Sequence, residues 1–343
     1  MVVYGHSYVM AGFGPEPLER LTKGAFSARG CAVDGFFILS SYLLCLSLER
    51  SPSLLRFTIR RSFRILPGYW ACLLFTAFVV VPASFAIFYG GQLSYWQSVT
   101  FANHNALSYL ATNATVFVRD TYIMGVFDRN PLRSAMNASL WTIRWEVICY
   151  IALGLGALFS LQKRRWATTG LFAFLYAREV FALLPAPFER WLFLGTLGKT
   201  EPENLILAFS AGALLYSYAR GRKLWSARWF WGATAALGAS LFTGFSTLVW
   251  PLTLPYLLVC LAEKLPFQAL EKRGDISYGV YLYSFLLQQC LVAFDLHHAG
   301  WLVFFATSVV VSVVAGCFSW LLVERPSIAC GARLVGRLGK AKA

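Results

Sequence analysis

The sequence carries little charge for its length. Only 13% of its 343 residues are Asp, Glu, Lys or Arg, whereas soluble domains carry about 25%. The charges lie in short clusters between long apolar runs, and 58% of the residues are hydrophobic. This pattern excludes a soluble globular domain and predicts an integral membrane protein. Because nearly every stretch is either a span or a connecting loop, we expect a single integral-membrane domain over residues 1–343, with no soluble C-terminal domain.

Metal, disulfide and secretion motifs are also missing. The eight cysteines stand singly, most of them inside apolar runs, and no CxxC or His/Cys metal spacing occurs. We therefore predict no metal site and no disulfide framework. The first 13 residues lack the basic region and the cleavage site of a signal peptide. They look instead like the second half of a helix, so we expect the first helix to be truncated.

Acidic residues are scarce relative to basic ones, which gives a net charge of +14. The basic residues fall between the apolar runs, so membrane topology explains them better than nucleic-acid binding does. The predicted class is all-α, a polytopic membrane bundle of about ten transmembrane helices. The predicted spans are 1–13, 32–48, 69–89, 139–160, 166–184, 204–219, 229–246, 248–263, 276–294 and 301–323.

The distribution of Lys and Arg predicts the orientation. Most of the 30 basic residues lie in segments that a ten-span topology places on one face, which is therefore the cytoplasmic one. These segments are 49–68, 161–166, 220–228, 263–275 and the tail 324–343. We therefore expect a multi-pass protein of the bacterial inner (plasma) membrane, with a cytoplasmic C-terminus.

A few ionisable residues lie inside predicted spans, where each needs a partner or a role. His6, Asp34 and Glu146 are all placed in the outer half of the bilayer. A histidine beside a carboxylate can deprotonate a hydroxyl at neutral pH, because the carboxylate orients the ring and stabilises the imidazolium. The alternative is a structural polar cluster, in which Asp34 or Glu146 pairs with Arg144.

A second cluster, Arg60, Arg61 and Arg64, lies just before the third span. Spacings of one and four residues can put the three side chains on one side of a helical turn, and guanidinium groups suit phosphates. The alternative is positive-inside topology with contacts to lipid headgroups. Glu324-Arg325-Pro326 ends the last span on the same face and either completes a pocket there or caps the helix.

Six segments in chain order resemble motifs of the membrane acyltransferase 3 family of bacterial O-acyltransferases. His6-Ser7 resembles the first-helix "His-Ser" motif, and the segment around Asp34 resembles "GVDxFFxLSGF". The others are residues 57–69 ("FxxRRxxRIxPxY"), 139–150 ("LWSLxxExxFY"), 276–284 ("ISYxxYLxH") and 323–326 ("ERP"). Each motif alone is weak, whereas six in order extend the resemblance over the whole chain.

The resemblance implies that the protein takes an acyl group, with acetyl expected, from cytoplasmic acyl-CoA to a carbohydrate hydroxyl at the outer leaflet. His6 would be the base or acyl carrier, with Asp34 and Glu146 in the polar core. The substrate-binding residues would be Arg60, Arg61, Arg64, Trp141, Tyr278 and Arg325. Acyl-CoA would be a substrate rather than a bound cofactor, and the other partners would be the saccharide or glycolipid acceptor and membrane lipids.

The sequence departs from the family pattern in three places. The basic residue expected eleven positions before His6 would precede Met1. Ser41 stands at the "SGF" glycine, and Ser284 stands at the histidine of "ISYxxYLxH". No second catalytic histidine is therefore expected in that segment.

Three questions stay open at this level. His6 can deprotonate the acceptor directly or carry the acyl group transiently. The acceptor can be an exopolysaccharide, an O-antigen, a signalling lipo-oligosaccharide or a secondary metabolite. A transporter or flippase for an anionic glycolipid is the alternative function, with the intramembrane charges lining its path; the lack of an inverted repeat argues against it.

Overall fold

The computed structural model describes residues 1–51, 53–133, 135–181, 201–220, 222–265 and 274–340. This part of the chain consists of helices and connecting segments, without a β-strand, so the predicted all-α class is confirmed for it. Most of the predicted loop 185–203, the end of the span predicted at 166–184 and much of the loop predicted at 263–275 lie outside the described residues.

The α-helices are numbered here in chain order. They are α1 (Val2–Met10), α2 (Pro17–Leu21), α3 (Ala28–Arg50), α4 (Leu54–Phe75), α5 (Val81–Phe88), α6 (Tyr95–Val99), α7 (Ala106–Asn113), α8 (Trp141–Leu158), α9 (Arg165–Phe181), α10 (Glu201–Ala219), α11 (Ala227–Thr243), α12 (Ser246–Lys264), α13 (Ser277–Ala293), α14 (Trp301–Ser319) and α15 (Arg325–Lys340).

Five helical segments among the described residues are long and apolar enough to cross a membrane. They are Ala28–Arg50, Leu54–Phe88, Ala138–Leu158, Ser246–Lys264 and Trp301–Leu338. The prediction of about ten spans is therefore not confirmed. One reason is length: α11 and α13 have 17 residues each, whereas a full crossing needs about 20.

Two of these segments extend beyond the spans predicted from sequence. Residues 54–68, predicted as part of a cytoplasmic loop, are helical, and so are residues 324–340 of the predicted tail. In each segment a π-helical turn, Thr76–Val80 or Trp320–Glu324, precedes a proline, Pro82 or Pro326. Proline lacks an N–H group and clashes with the preceding turn. The wider turn lets each helix continue through its proline.

The chain divides into two compact units, and both are interleaved along the sequence. Unit 1 comprises Met1–Val2, Glu16–Leu54 and Trp145–Leu270, and unit 2 comprises Val3–Pro15, Leu55–Arg144 and Glu271–Ala343. In unit 1, α10 packs against α3, α9 and α12, and α11 packs against α12. In unit 2, α13 packs against α14. The single domain over residues 1–343 stays a prediction.

Glycine allows close helix packing in both units. In unit 1, a Cβ at Gly212 of α10 would collide with the carbonyl oxygen of Ile38 in α3. In unit 2, a Cβ at Gly279 of α13 would lie 2.9 Å from the Cα of Gly316 in α14. Small residues at such crossings let backbones approach, which is how many membrane helices associate.

We expect Gly279→Ala to destabilise the protein by about 1–3 kcal/mol, because the added methyl group meets backbone that cannot move aside. Gly232→Ala is the matched control, since it lies inside α11 at a position where a Cβ would meet open space. There the loss of chain entropy in the unfolded state should stabilise by about 0.5–1 kcal/mol. Thermal unfolding in detergent measures both, and equal effects of the two substitutions would contradict this packing.

Candidate active site

His6 lies on α1 and is half-buried within unit 2. Its ring packs edge-on against Phe285 of α13, with 5.1 Å between ring centroids and an interplanar angle of 82°. The imidazole therefore faces another helix of its own unit. This placement suits a ring that is kept partly away from lipid and at a defined orientation.

Two side chains from neighbouring helices hold α1 in place. Trp301 at the start of α14 donates its indole N–H to Ser7 Oγ over 2.9 Å, and Ser7 in turn donates to the Tyr4 carbonyl over 2.7 Å. Gln288 of α13, which is fully buried, donates to the Val3 carbonyl over 2.9 Å. Hydrogen bonds to buried groups fix geometry because leaving them unmade costs about 1–3 kcal/mol each. The "His-Ser" serine is thus an anchor for α1.

Helix α13 also fixes the segment that leads into α8. Asn137 donates to the Leu282 carbonyl over 2.7 Å, and the Tyr281 hydroxyl donates to the Ser139 carbonyl over 2.6 Å. The same Tyr281 hydroxyl contacts Thr142 Oγ1. These bonds lie on either side of Trp141, the half-buried first residue of α8, and so set its position within unit 2.

Arg64 is neutralised by two acids of unit 2. Its guanidinium forms an ion pair with Asp275 and lies 4.0 Å from the Oε2 of Glu324, whose side chain is fully buried. The same guanidinium lies 5.9 Å from the ring centroids of Tyr278 and Trp320. Because a buried carboxylate is costly without a counter-charge, Arg64 serves first to compensate Glu324. Tyr278 is fixed by donating to the Ile65 carbonyl over 2.9 Å.

Three further arginines of unit 2 differ from Arg64 in this respect. Within the described residues, no ion pair involves Arg60, Arg61 or Arg325. Arg60 and Arg325 are exposed and Arg61 is half-buried. The Arg61 Nε atom is buried and has no described hydrogen-bond partner. This part of α4 therefore offers positive charge and an unused donor to an anionic ligand.

Acidification should weaken the Arg64–Asp275 ion pair. Burial by itself would raise the pKa of Asp275, but hydrogen bonds from Ser277 and the charge of Arg64 outweigh it, so the pKa lies below its ordinary value of 3.8. A pKa lowered by folding contributes stability that is present above the ordinary pKa and is lost as the pH falls through the folded-state pKa.

We therefore expect Asp275→Asn to lower the Tm at pH 7 by about 1–3 °C, a small effect because the carboxylate is partly exposed. The difference from the unsubstituted protein should shrink as the pH falls below the ordinary Asp pKa of 3.8. Thermal unfolding of both proteins across this pH range is the measurement, and a pH-independent difference would argue against the ion pair.

The two predicted acids lie in unit 1, and both are buried. Tyr150, one turn after Glu146 in α8, donates its hydroxyl to Glu146 Oε1 over 2.5 Å and lies 2.9 Å from Ser40 Oγ of α3. Glu146 thus ends a chain of hydroxyl groups that joins α8 to α3. Asp34 lies on α3 and is 8% exposed.

The predicted site residues fall into two sets. Unit 2 contains the histidine and the predicted substrate-binding residues: His6, Arg60, Arg61, Arg64, Trp141, Tyr278 and Arg325. Asp34 and Glu146 belong to unit 1. The pairing of His6 with one of these acids stays a prediction.

Four residues that position this site were missed from the sequence: Asp275, Gln288, Trp301 and Trp320. Asp275 directly precedes the "ISY" segment, and its charge at a predicted span end was a usable signal. Gln288 is an uncharged polar residue inside a predicted span, a class that charge alone does not single out. The two tryptophans carried no signal that separates them from ordinary interfacial aromatics.

The described residues also hold one group of three metal-type donors, Asp295, His297 and His298, whose donor atoms lie within 4.8 Å of one another. The sequence predicted no metal site. Asp295 and His298 are 79% and 74% exposed, and their side chains lie 3.8 Å apart. This spacing is typical of a solvent-exposed ion pair when the imidazole is protonated, and we assign it no further role.

The sequence profile of the acyltransferase domain in the acyltransferase 3 family matches residues 1–323 of this chain. The chain belongs to the acyltransferase 3 family. The resemblance inferred from six motifs is thereby confirmed, and membership in the family makes the protein a membrane acyltransferase.

Two relatives in the acyltransferase 3 family extend over nearly the whole chain. The O-acetyl transferase of Shigella phage Sf6 is 26% identical over 95% of this chain and 91% of its own length. Nodulation protein 10 of Rhizobium leguminosarum bv. viciae is also 26% identical, over 91% of this chain and 85% of its own length. No solved structure matches the chain significantly.

Proposed function

We propose that this acyltransferase moves an acetyl group from cytoplasmic acyl-CoA to a hydroxyl of a cell-surface or exported saccharide. The observation that carries the proposal is the composition of unit 2. It contains a half-buried imidazole, held against α13, and arginines whose charges are not neutralised within the described residues. Acetyl as the transferred group is supported by the relative named O-acetyl transferase.

The donor would bind through its phosphates to Arg60, Arg61 and Arg325. Guanidinium groups bind phosphate with paired, charge-assisted hydrogen bonds, and the buried Nε of Arg61 would gain the partner it lacks in the described structure. Arg64 would act indirectly, by holding Tyr278 and the start of α13 in place. Trp141 and Tyr278 would line the path of the thioester.

His6 would perform the chemistry in one of two ways. As a base, a ring nitrogen takes the proton of the acceptor hydroxyl, the oxygen attacks the thioester carbonyl, and the C–S bond breaks. The leaving thiolate then recovers the proton from the imidazolium. As a carrier, one ring nitrogen attacks the thioester, and the departing thiolate takes the proton of the other ring nitrogen, which releases CoA as the thiol. The acceptor hydroxyl then attacks the acyl-imidazole, and the imidazole takes up the hydroxyl proton as it leaves.

The carboxylates of Asp34 and Glu146 would stabilise the imidazolium formed in either route. Tyr150 supports this role for Glu146, because its hydroxyl donates to one carboxylate oxygen and so favours the ionised, oriented carboxylate. The protein would work in the bacterial inner membrane, with a cytoplasmic C-terminus. Its partners would be acyl-CoA, a saccharide or glycolipid acceptor and membrane lipids, without a bound cofactor or metal.

Radiolabelled acetyl-CoA incubated with the purified protein in detergent tests this proposal. An acyltransferase releases free CoA and, when extracted surface glycans are added, labels the glycan. A transporter or flippase for a glycolipid does neither. Absence of both products with glycans extracted from the source cells would overturn the proposal.

A further inference from the structure

A cavity of about 300 Å³ lies inside unit 1, between α9, α10 and α12. Its volume is at the lower end of the range of about 300–1,000 Å³ found for small-molecule sites. The walls are mostly aliphatic and aromatic. They are formed by Thr169, Phe172, Ala211, Leu214, Leu215, Tyr218, Pro251, Leu252, Pro255 and Tyr256.

The polar side chains of the wall already bond to the protein. Thr169 Oγ1 lies 3.1 Å from the Tyr218 hydroxyl, and the Tyr256 hydroxyl donates to the Leu224 carbonyl over 3.0 Å. A saccharide or another polar ligand would lose hydrogen bonds to water here and would find few in return. An alkyl chain has no such cost, so the wall chemistry selects an apolar occupant.

One end of the cavity carries a cluster of positive charge. The Arg165 guanidinium lies 4.9 Å from the ring centroid of Tyr218, which lines the cavity. Arg220, two residues after Tyr218, donates to the Lys163 carbonyl and so brings the ends of α9 and α10 together. Arg164 and Arg165 are exposed. The described acids in contact with this end are Glu49, which accepts from Tyr216, and Glu263, which accepts from the Leu224 N–H, so positive charge remains in excess.

The aromatic residues at this end indicate its depth. Trp166 is 69% exposed and Tyr218 is 46% exposed. Exposed tryptophan and tyrosine residues concentrate at the headgroup level of a bilayer, where an apolar ring and a polar tip are both accommodated. The basic end of the cavity is thus suited to a headgroup, and the apolar interior to the chain attached to it.

We propose that this cavity binds one alkyl chain of an anionic glycerophospholipid whose phosphate lies on Arg165. Anionic headgroups gain energy from each nearby cation, and the chain gains energy from its burial in the cavity. This proposal does not depend on the proposed acyl transfer. A zwitterionic lipid with the same chains should bind more weakly, because its headgroup carries no net charge.

Native mass spectrometry of the full-length, delipidated protein in detergent tests the proposal. Phosphatidylglycerol and phosphatidylcholine with identical chains are the two probes. We expect the unsubstituted protein to retain phosphatidylglycerol about fivefold better than phosphatidylcholine, the effect expected of one cation near a headgroup. Arg165→Gln should remove the phosphate contact and cut phosphatidylglycerol retention by about fivefold. Leu252→Trp should fill the cavity and cut retention at least as much, because the alkyl chain loses its buried site.

Each variant has a matched control in unit 1. Leu171→Trp places the same bulk on α9 at a residue outside the cavity wall, with 52% exposure against 56% for Leu252. Arg228→Gln removes an exposed arginine that also lies near an aromatic ring, 5.9 Å from the ring centroid of Trp229. Both controls should retain phosphatidylglycerol normally. Thermal unfolding without lipid checks that the four variants fold, and the two arginine substitutions keep the test decisive if a tryptophan variant does not.

The proposal is overturned if the unsubstituted protein retains both lipids equally. It is also overturned if Leu252→Trp and Leu171→Trp retain phosphatidylglycerol to the same extent, or if Arg165→Gln binds as well as Arg228→Gln. The proposal is supported if retention of phosphatidylglycerol falls in Leu252→Trp and Arg165→Gln and stays normal in Leu171→Trp and Arg228→Gln.

Discussion

Replacing His6 with alanine is expected to abolish acetyl transfer while leaving protein abundance and Tm nearly unchanged. General base catalysis by a positioned imidazole contributes about 10²–10⁴-fold to a rate, and nucleophilic transfer through the ring would be lost entirely. The ring contact with Phe285 is an edge contact of a half-buried side chain, so the fold should tolerate its loss. The measurement is release of CoA from acetyl-CoA in the presence of acceptor glycans.

His104→Ala is the control for the first prediction. His104 lies in the connection before α7, its side chain is 57% exposed, and its Nδ1 is 3.4 Å from Asp120 Oδ2. We expect the loss of this side chain to leave acetyl transfer intact. Added imidazole should restore part of the activity of the His6→Ala protein if the ring acts as a base or carrier. Undiminished transfer by the His6→Ala protein would remove His6 from the mechanism.

Two arginines of α4, Arg64 and Arg61, are expected to have different roles, the first in stability and the second in donor binding. Arg64→Gln is expected to destabilise the protein by about 3 kcal/mol, because it leaves the buried Glu324 carboxylate without its counter-charge. Adding Glu324→Gln should recover much of this loss, since no buried charge then remains. Thermal or denaturant unfolding of the two single variants and the double variant measures the coupling.

Arg61→Gln is expected to behave differently. It should raise the KM for acetyl-CoA by about tenfold, equal to 1.4 kcal/mol of binding energy, with little change in stability, because no described ion pair depends on Arg61. Arg50→Gln, which removes an exposed arginine at the end of α3, is the control and should alter neither quantity. A destabilised Arg61→Gln protein with unchanged KM would assign Arg61 a structural role instead.

The arginine segment shows how far local sequence reasoning reaches. The spacing of Arg60, Arg61 and Arg64 is compatible with one side of a helical turn, and α4 includes all three, although the sequence placed them in a loop. It could not distinguish the arginines, because the acids that neutralise Arg64 are about 210 and 260 positions away in the chain. Helix packing within unit 2 alone brings Asp275 and Glu324 to Arg64.

The number and bounds of the membrane spans were also poorly predicted from the sequence. Hydropathy finds apolar runs, but it does not fix where a helix starts, and α4 and α15 both include residues predicted as cytoplasmic segments. A proline such as Pro326 indicates a break in a local pattern. A π-helical turn removes that constraint, and its formation depends on the packed surroundings rather than on the local sequence.

The sequence by itself was enough to predict a membrane protein, its all-helical class and its family. Scarcity of charge and the order of motifs are properties of the linear chain. The tertiary structure alone decided which arginine is neutralised, how α1 is held by Trp301 and Gln288, and where unit 1 forms an open apolar cavity. Those features depend on contacts between residues far apart in sequence, and such contacts are set by helix packing.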